Sequence, residues 1–211
     1  MLTSDMLLTM IKNIGEAIKE NKEFLTDLDT AIGDSDHGIN MSKGFTAVLG
    51  KLDGMEGKDC GTILKTVAMT LISTVGGASG PLYGTAFLKA SSVVNGKVYI
   101  DRQDTIQILY EAIQGIKSRG KAEKGDKTML DALVPAYEAL KAAIENGEEI
   151  ITAFEKAEKA AKEGVEYTKT IIARKGRASY LGERSIGHQD PGATSSFIII
   201  KTITDTLKEA R

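Results

Sequence analysis

One cysteine, Cys60, stands in a chain of 211 residues. No internal disulfide can form, and such usage fits a reducing cytoplasm. No basic block of five or more residues occurs, and 27 basic against 29 acidic side chains leave a formal net charge of −2. Nothing therefore predicts a nucleic-acid partner. No apolar run approaches the roughly 20 residues that a membrane span needs, so no membrane role is expected. The N-terminal MLTSDMLLTMIKNIGEAIKE is amphipathic and carries Asp5 early. It lacks the basic region and small-residue cleavage site of a signal peptide, and the expected location is the cytoplasm. What is present is ordinary for a globular protein: 42% hydrophobic and 27% charged residues, in a length that can bury a substantial core.

Helical periodicity dominates the chain. Leu2, Met6, Leu7, Met10, Ile11, Ile14, Ala17 and Ile18 recur at spacings of three and four, one face of a helix. The same pattern predicts helices over residues 38–52 and 58–75, and a fourth that opens near Pro81, a residue suited to a first turn. Further helices are expected over 101–118, with Asp101 as N-cap, over 128–146, over the Ala/Glu/Lys-rich 148–173, and over 191–209. The run FIIIKTI in the last of these reads equally as a buried strand. Helix is preferred because no other segment offers a strand to pair with. Eight amphipathic helices without a βαβ unit predict an all-α fold, a single bundle over residues 1–211. Four loops, at 29–38, 76–80, 118–128 and 174–192, are rich in Gly, Ser, Asp and Arg. In a bundle alternate loops share one end, so chemistry divided among them can meet at one rim.

The loop LDTAIGDSDHG carries the strongest signal. Asp29, Asp34 and Asp36 are short carboxylates in a turn where Gly33 and Gly38 permit tight folding. Aspartates acting only as helix caps on a solvated turn are the plain alternative. Three carboxylates with two glycines favour a metal, and hard oxygen ligands favour Mg²⁺ or Ca²⁺ over zinc. The spacing is not that of an EF-hand, which needs a glutamate at the twelfth position. Mg²⁺ held by few protein ligands recruits substrate phosphates. The aspartates carry −3 and a nucleoside diphosphate about −3 more, an assembly that two Mg²⁺ ions with +4 make tolerable and that suits phosphoryl transfer.

Other loops supply phosphate-binding parts. GGASG, residues 76–80, precedes the Pro81 helix, and its amides and Ser79 hydroxyl suit an anion at a helix N-terminus. DPGATSS places Asp190 as N-cap and Pro191 at the first helical position. Arg177 and Arg184 are candidate anion partners. His37 sits inside the acidic loop, where its neighbours would raise its pKa and a bound metal pair would oppose them. His188 is a weaker candidate, and Cys60 reads as a small buried hydrophobe. The stretch GIKSRGK only imitates a P-loop: Ala122 follows it where Ser or Thr is required, and no strand precedes it. A Rossmann fingerprint is also missing, and no nucleophile–base pair stands out.

LDTAIGDSDHGINM, GGASGPLYGTAF, GDKTMLDAL and GHQDPGA, in that order, resemble the nucleotide-binding subunits of bacterial dihydroxyacetone kinases that are driven by the phosphoenolpyruvate phosphotransferase system. The likeness spans nearly the whole chain. It implies an eight-helix antiparallel barrel with the nucleotide at one rim. It implies that Asp29, Asp34 and Asp36 hold two Mg²⁺ ions, which hold the diphosphate. By the same resemblance, nucleotide contacts fall on His37, Gly38, Ile39, Asn40, Ala78, Ser79, Gly120, Met129, Arg177, Asp190, Pro191 and Gly192. The implied cofactor is a retained ADP, phosphorylated to ATP in place by a phosphohistidine on an M subunit. The γ-phosphoryl then passes to dihydroxyacetone on a K subunit. A transcriptional regulator is a further partner in this picture. No catalytic side chain is required of the chain itself, only positioning and charge neutralisation. A related domain serving another acceptor, as in fatty-acid kinases, and a non-catalytic regulatory module are the alternatives. One departure stands in the metal loop: the family often has glycine where this chain has Ser35, which adds strain if the position needs a positive φ.

Overall fold

The computed structural model describes residues 1–210. Side-chain caps set several helix starts. Thr3 accepts a hydrogen bond from the Met6 amide at the head of α1, Ser4–Glu20, and Asp59 accepts from Thr62 at α4, Cys60–Thr74. Asp101, the expected cap, forms a reciprocal capping box with Asp104 at α6, Arg102–Gly120. Asp190 accepts from the Ala193 amide at α9, Pro191–Glu209, with Pro191 in the first turn as expected. The other helices are α2, Lys22–Ile32; α3, His37–Leu52; α5, Ser79–Val93; α7, Leu130–Glu145; and α8, Ile150–Thr168. A 3₁₀ segment, Arg177–Ser185, is interrupted at Gly182.

Four expectations need correction. Nine α-helices occur among the described residues where eight were expected, the addition being α2. Its buried face is Leu25, Asp29 and Ile32, and an aspartate in that face interrupts the apolar stripe by which a helix is recognised. Asp29 therefore lies in the last turn of a helix and not in a loop. The helix expected over 148–173 ends at Thr168, although Ala, Glu and Lys would continue it, because its terminal carbonyl is taken by a distant side chain, Lys127. Finally, β1, Leu2–Thr3, pairs antiparallel with β2, Tyr99–Ile100. Two residues are too few to show a period. The ambiguous FIIIKTI run is helical, within α9.

Helices α1, α3, α4, α5, α6, α7, α8 and α9 pack each against the next, and α9 closes on α1. This closed ring is the expected eight-helix barrel. The additional helix, α2, stays outside it and packs on α3 and α9. Successive helices of the ring run antiparallel, so alternate connections share an end. The far end gathers β1, β2 and the turn before α4, where the Cys60 amide donates to the Lys97 carbonyl at 2.7 Å. Inside, Phe45, Met41, Ile14, Ile18, Ile63, Leu71, Leu130 and Leu140 are fully buried, as is Cys60. They do not fill the axis: an apolar cavity of about 440 Å³ runs from Tyr83 and Met129 down to Arg102 and Glu149. Among the described residues no helix is long and apolar enough to cross a membrane.

One interhelical contact depends on two residues together. Pro135 lies inside α7 and has no amide to give the Asp131 carbonyl. That carbonyl is left open toward α8, and Gly164 packs directly on it. A Cβ at Gly164 would overlap the Asp131 oxygen, a backbone atom that cannot swing aside. Gly164→Ala should therefore lower the unfolding free energy by about 1–3 kcal/mol, against alanine's better helix propensity, as measured by urea denaturation.

Candidate nucleotide and metal site

Asp29, Asp34 and Asp36 converge. One carboxylate oxygen from each lies within 4.8 Å of the other two. Asp29 reaches the cluster from the end of α2, and its Oδ2 accepts the amides of Asp36 and His37 at 2.9 and 3.1 Å. It thereby caps α3 across the turn, since the side chain of Asp36, the local N-cap, makes no cap hydrogen bond. The expected role of the glycines is met by close approach. A Cβ at Gly33 would strike the Asp29 carboxylate, and one at Gly38 would strike the Lys22 carbonyl. Ser35 does adopt the left-handed conformation, with φ of 63°, so the serine carries strain of about 1 kcal/mol that glycine would not.

The cluster repels itself. Burial pushes the Asp36 pKa up, and the charges of Asp34 and Asp29 push in the same direction. Asn40, which hydrogen-bonds the carboxylate, and Arg177 oppose this. Arg177 Nε lies 2.8 Å from Asp34 Oδ2 and is the one cationic group paired with the cluster among the described residues. Both partners are partly exposed, so the pair is weak compensation. A hard, all-oxygen donor set with uncompensated negative charge fits Mg²⁺.

Four helix N-termini reach the same rim, those of α3, α5, α7 and α9. Gly77 sits beside Asp36 and Asn40, and the His37 ring lies between Ser79 and Ser195. Gly192 lies against Met129. At Ala78 no side chain caps α5, which leaves its first amides free, whereas at α7 the Leu130 amide donates to Thr128 Oγ1 at 3.2 Å. Open amides and positive dipole ends suit phosphate. Of the residues expected to touch nucleotide, His37, Gly38, Ile39 and Asn40 form the first turn of α3, Ala78 and Ser79 start α5, and Asp190, Pro191 and Gly192 start α9. Gly120 ends α6 beside Leu82 of α5, and Arg177 arrives through the 3₁₀ segment. Arg184 is exposed without an ion pair among the described residues, and His188 is exposed, so neither is gathered into the cluster.

The expectation that acidic neighbours would raise the His37 pKa is overturned. Burial dominates and lowers it to about 4, with the Asp29 charge acting the other way. The neutral ring is engaged on both sides: Nδ1 lies 3.0 Å from Ser79 Oγ and Nε2 lies 2.9 Å from Ser195 Oγ. The Tyr83 hydroxyl continues this network, 2.7 Å from Ser195 Oγ and 2.9 Å from Ser196 Oγ, and its pKa is pushed up to about 12 by burial. Tyr83, Ser195 and Ser196 lay inside quoted motifs, but nothing local marks a helical hydroxyl as part of a network spanning three helices.

The fold and its rim define a class: a closed α-helical barrel that offers carboxylates and helix N-termini together at one end. The chain belongs to the DAK2 domain family, which it matches over residues 31–205. It is 44% identical over 208 residues, 99% of each chain, to the "PEP-dependent dihydroxyacetone kinase, ADP-binding subunit DhaL" of Escherichia coli K12. It is 40% identical to the "PTS-dependent dihydroxyacetone kinase, ADP-binding subunit DhaL" of Lactococcus lactis, over 98% of this chain and all of that one. The crystal structure of the dihydroxyacetone kinase from C. freundii in complex with AMP-PNP and Mg²⁺ superposes with a TM-score of 0.73 at 22% identity, over 94% of this chain. This chain spans about a third of that one, whose likeness shows the fold.

Asp190 gives this rim a pH dependence. Its carboxyl is fully buried, and desolvation raises its pKa to about 7, against the Ala193 amide and the Lys127 charge. Between about pH 4 and pH 7 the folded chain holds a proton that the unfolded chain has released, so Asp190 makes stability fall as pH rises through that window. Asp190→Asn, still a competent cap, should remove this term. Its stability relative to the parent should rise by a few kcal/mol from pH 4 to pH 7 and stay level above, in urea denaturation series without nucleotide.

Proposed function

We propose that this chain is the ADP-binding subunit of a phosphotransferase-system-driven dihydroxyacetone kinase. The observation that carries the reading is the carboxylate cluster beside several helix N-termini at one rim, the uncapped start of α5 among them. The relatives that match over their full length, named as ADP-binding subunits, support it. Asp29, Asp34 and Asp36 would hold Mg²⁺, two ions in this reading. The ions would supply positive charge for the diphosphate and for charge that develops on a transferred phosphoryl group. The amides that open α3, α5 and α9 would orient the phosphates, and Arg177 would add a cation at the same edge. His37, Gly38, Ile39, Asn40, Ala78, Ser79, Gly120, Met129, Asp190, Pro191 and Gly192 complete the proposed seat.

The reaction so served is transfer of a phosphoryl group from a phosphohistidine on an M subunit to dihydroxyacetone on a K subunit, by way of the retained nucleotide. No side chain at the rim is asked to act as nucleophile. The buried, neutral His37 is a scaffold for Ser79 and Ser195 and has no free nitrogen to offer. The M and K subunits, a transcriptional regulator as a further partner, a single domain over the whole chain and a cytoplasmic location belong to the same proposal.

Incubation of the purified chain with phosphoenolpyruvate, the phosphotransferase components and labelled phosphate should convert bound ADP to ATP. Bound ADP that never becomes labelled would sink the relay reading and leave a regulatory module. Asp34→Ala removes one carboxylate and should weaken Mg²⁺–ADP binding at least about tenfold, read by calorimetry or by nucleotide released on denaturation. Undiminished binding would rule out the metal bridge.

A further inference from the structure

Lys127 is 1% exposed and sits at a left-handed φ of 62°. Burying an ammonium and forcing a lysine into that conformation are both unfavourable, and they persist only where the surroundings over-determine them. No carboxylate lies within ion-pair distance of it among the described residues. Instead Nζ donates to the carbonyls of Thr168, Ser185 and His188, each at 2.6 Å, with the Ile171 carbonyl a longer contact at 3.4 Å. That uses all three ammonium protons. Thr168 ends α8 and Ser185 ends the 3₁₀ segment, so the cation lies where two helical elements present unpaired carbonyls and negative dipole ends.

The backbone around this point is tied on both sides. The Asp131 carboxylate accepts the amides of Gly125 and Thr128 at 2.5 and 2.8 Å, which fixes the loop before α7. The Arg174 amide donates to the Asp126 carbonyl at 3.0 Å, and the Asp190 amide donates to Thr168 Oγ1 at 3.0 Å. One ammonium therefore joins the loop that runs into Met129 to the whole stretch that carries Arg177 and leads to Asp190 and Gly192. Burial pulls the Lys127 pKa below its ordinary value, and the charges of Asp190 and Asp131 oppose the fall.

We propose that Lys127 is a positioning residue for nucleotide binding: its three carbonyl contacts hold residues 169–190 against the α7 loop, and so aim Arg177, Met129 and the N-terminus of α9 at one ligand. The inference rests on the rim being an ADP seat. The ring helices pack through their own apolar faces, so the barrel does not need this clamp, whereas the stretch that it holds contains no α-helix.

Lys127→Met keeps the stem and removes the three donors. Its far-UV helical signal should persist, and Mn²⁺ should still bind at the aspartate loop by electron paramagnetic resonance. Its ADP affinity should fall at least about tenfold, and trypsin should cut faster after Arg174, Lys175, Arg177 or Arg184. Lys127→Arg keeps the charge but replaces a point donor by a planar fork, and should also bind ADP more weakly. A folded Lys127→Met chain that binds ADP like the parent overturns the proposal. So does a Lys127→Arg chain with parental affinity where Lys127→Met fails to fold, which would leave charge as the whole role. Failure of both variants to fold places the lysine in the folding core and overturns it too. A parent chain that binds no ADP would instead defeat the reading of the rim itself.

Discussion

Three carboxylates held within 4.8 Å of one another set the terms for everything around them. Like charges at that separation repel by a few kcal/mol even in partly screened surroundings. The fold holds the repulsion in place by fixing each carboxylate differently. Asp29 is anchored by the last turn of α2 and by two amides of the turn it faces. Asp36 is drawn toward Asn40, and Asp34 toward Arg177. In the proposed reading cations would relieve that repulsion, and there they would meet phosphates drawn to the neighbouring helix N-termini. In that reading the same carboxylates account for both the metal preference and the anionic ligand.

Ring closure makes this convergence possible. Eight antiparallel helices put every second loop at one end, so chemistry drawn from residues more than a hundred positions apart shares one rim. Beneath the rim a polar layer fixes the helix starts. The His37 ring joins α3 to α5 and α9 through Ser79 and Ser195, and Tyr83 closes the network. At the side of the rim, the long connection between α8 and α9 has no α-helix of its own, and Lys127 supplies the order that helical hydrogen bonding would otherwise give.

Legibility in the sequence followed the apolar stripe. Helices with a clean stripe, such as α1, α3 and α4, were readable almost to their ends. The helix α2 was not, because Asp29 occupies its buried face and hid both the helix and the anchoring of the aspartate. The end of α8 was misplaced because a lysine 41 positions upstream takes its terminal carbonyl. The candidate ligand and metal residues were readable as motifs, and the structure brings most of them to one rim. Tyr83, Ser195 and Lys127 were not readable, since a hydroxyl or an ammonium shows its partner only across the fold.

The sequence by itself determined the chemical set: three short carboxylates, glycines for close approach, serines and helix starts, in an all-helical chain of eight stripes. These follow from residue type and spacing, which are local. Only the tertiary structure decided that Asp29 belongs to a helix, that Ser35 is left-handed, that His37 is neutral and that Lys127 is buried. Desolvation and partner geometry control those outcomes, and both exist only after distant segments have packed. In His37 the two influences met directly: proximity to aspartates predicted a raised pKa, and burial lowered it to about 4.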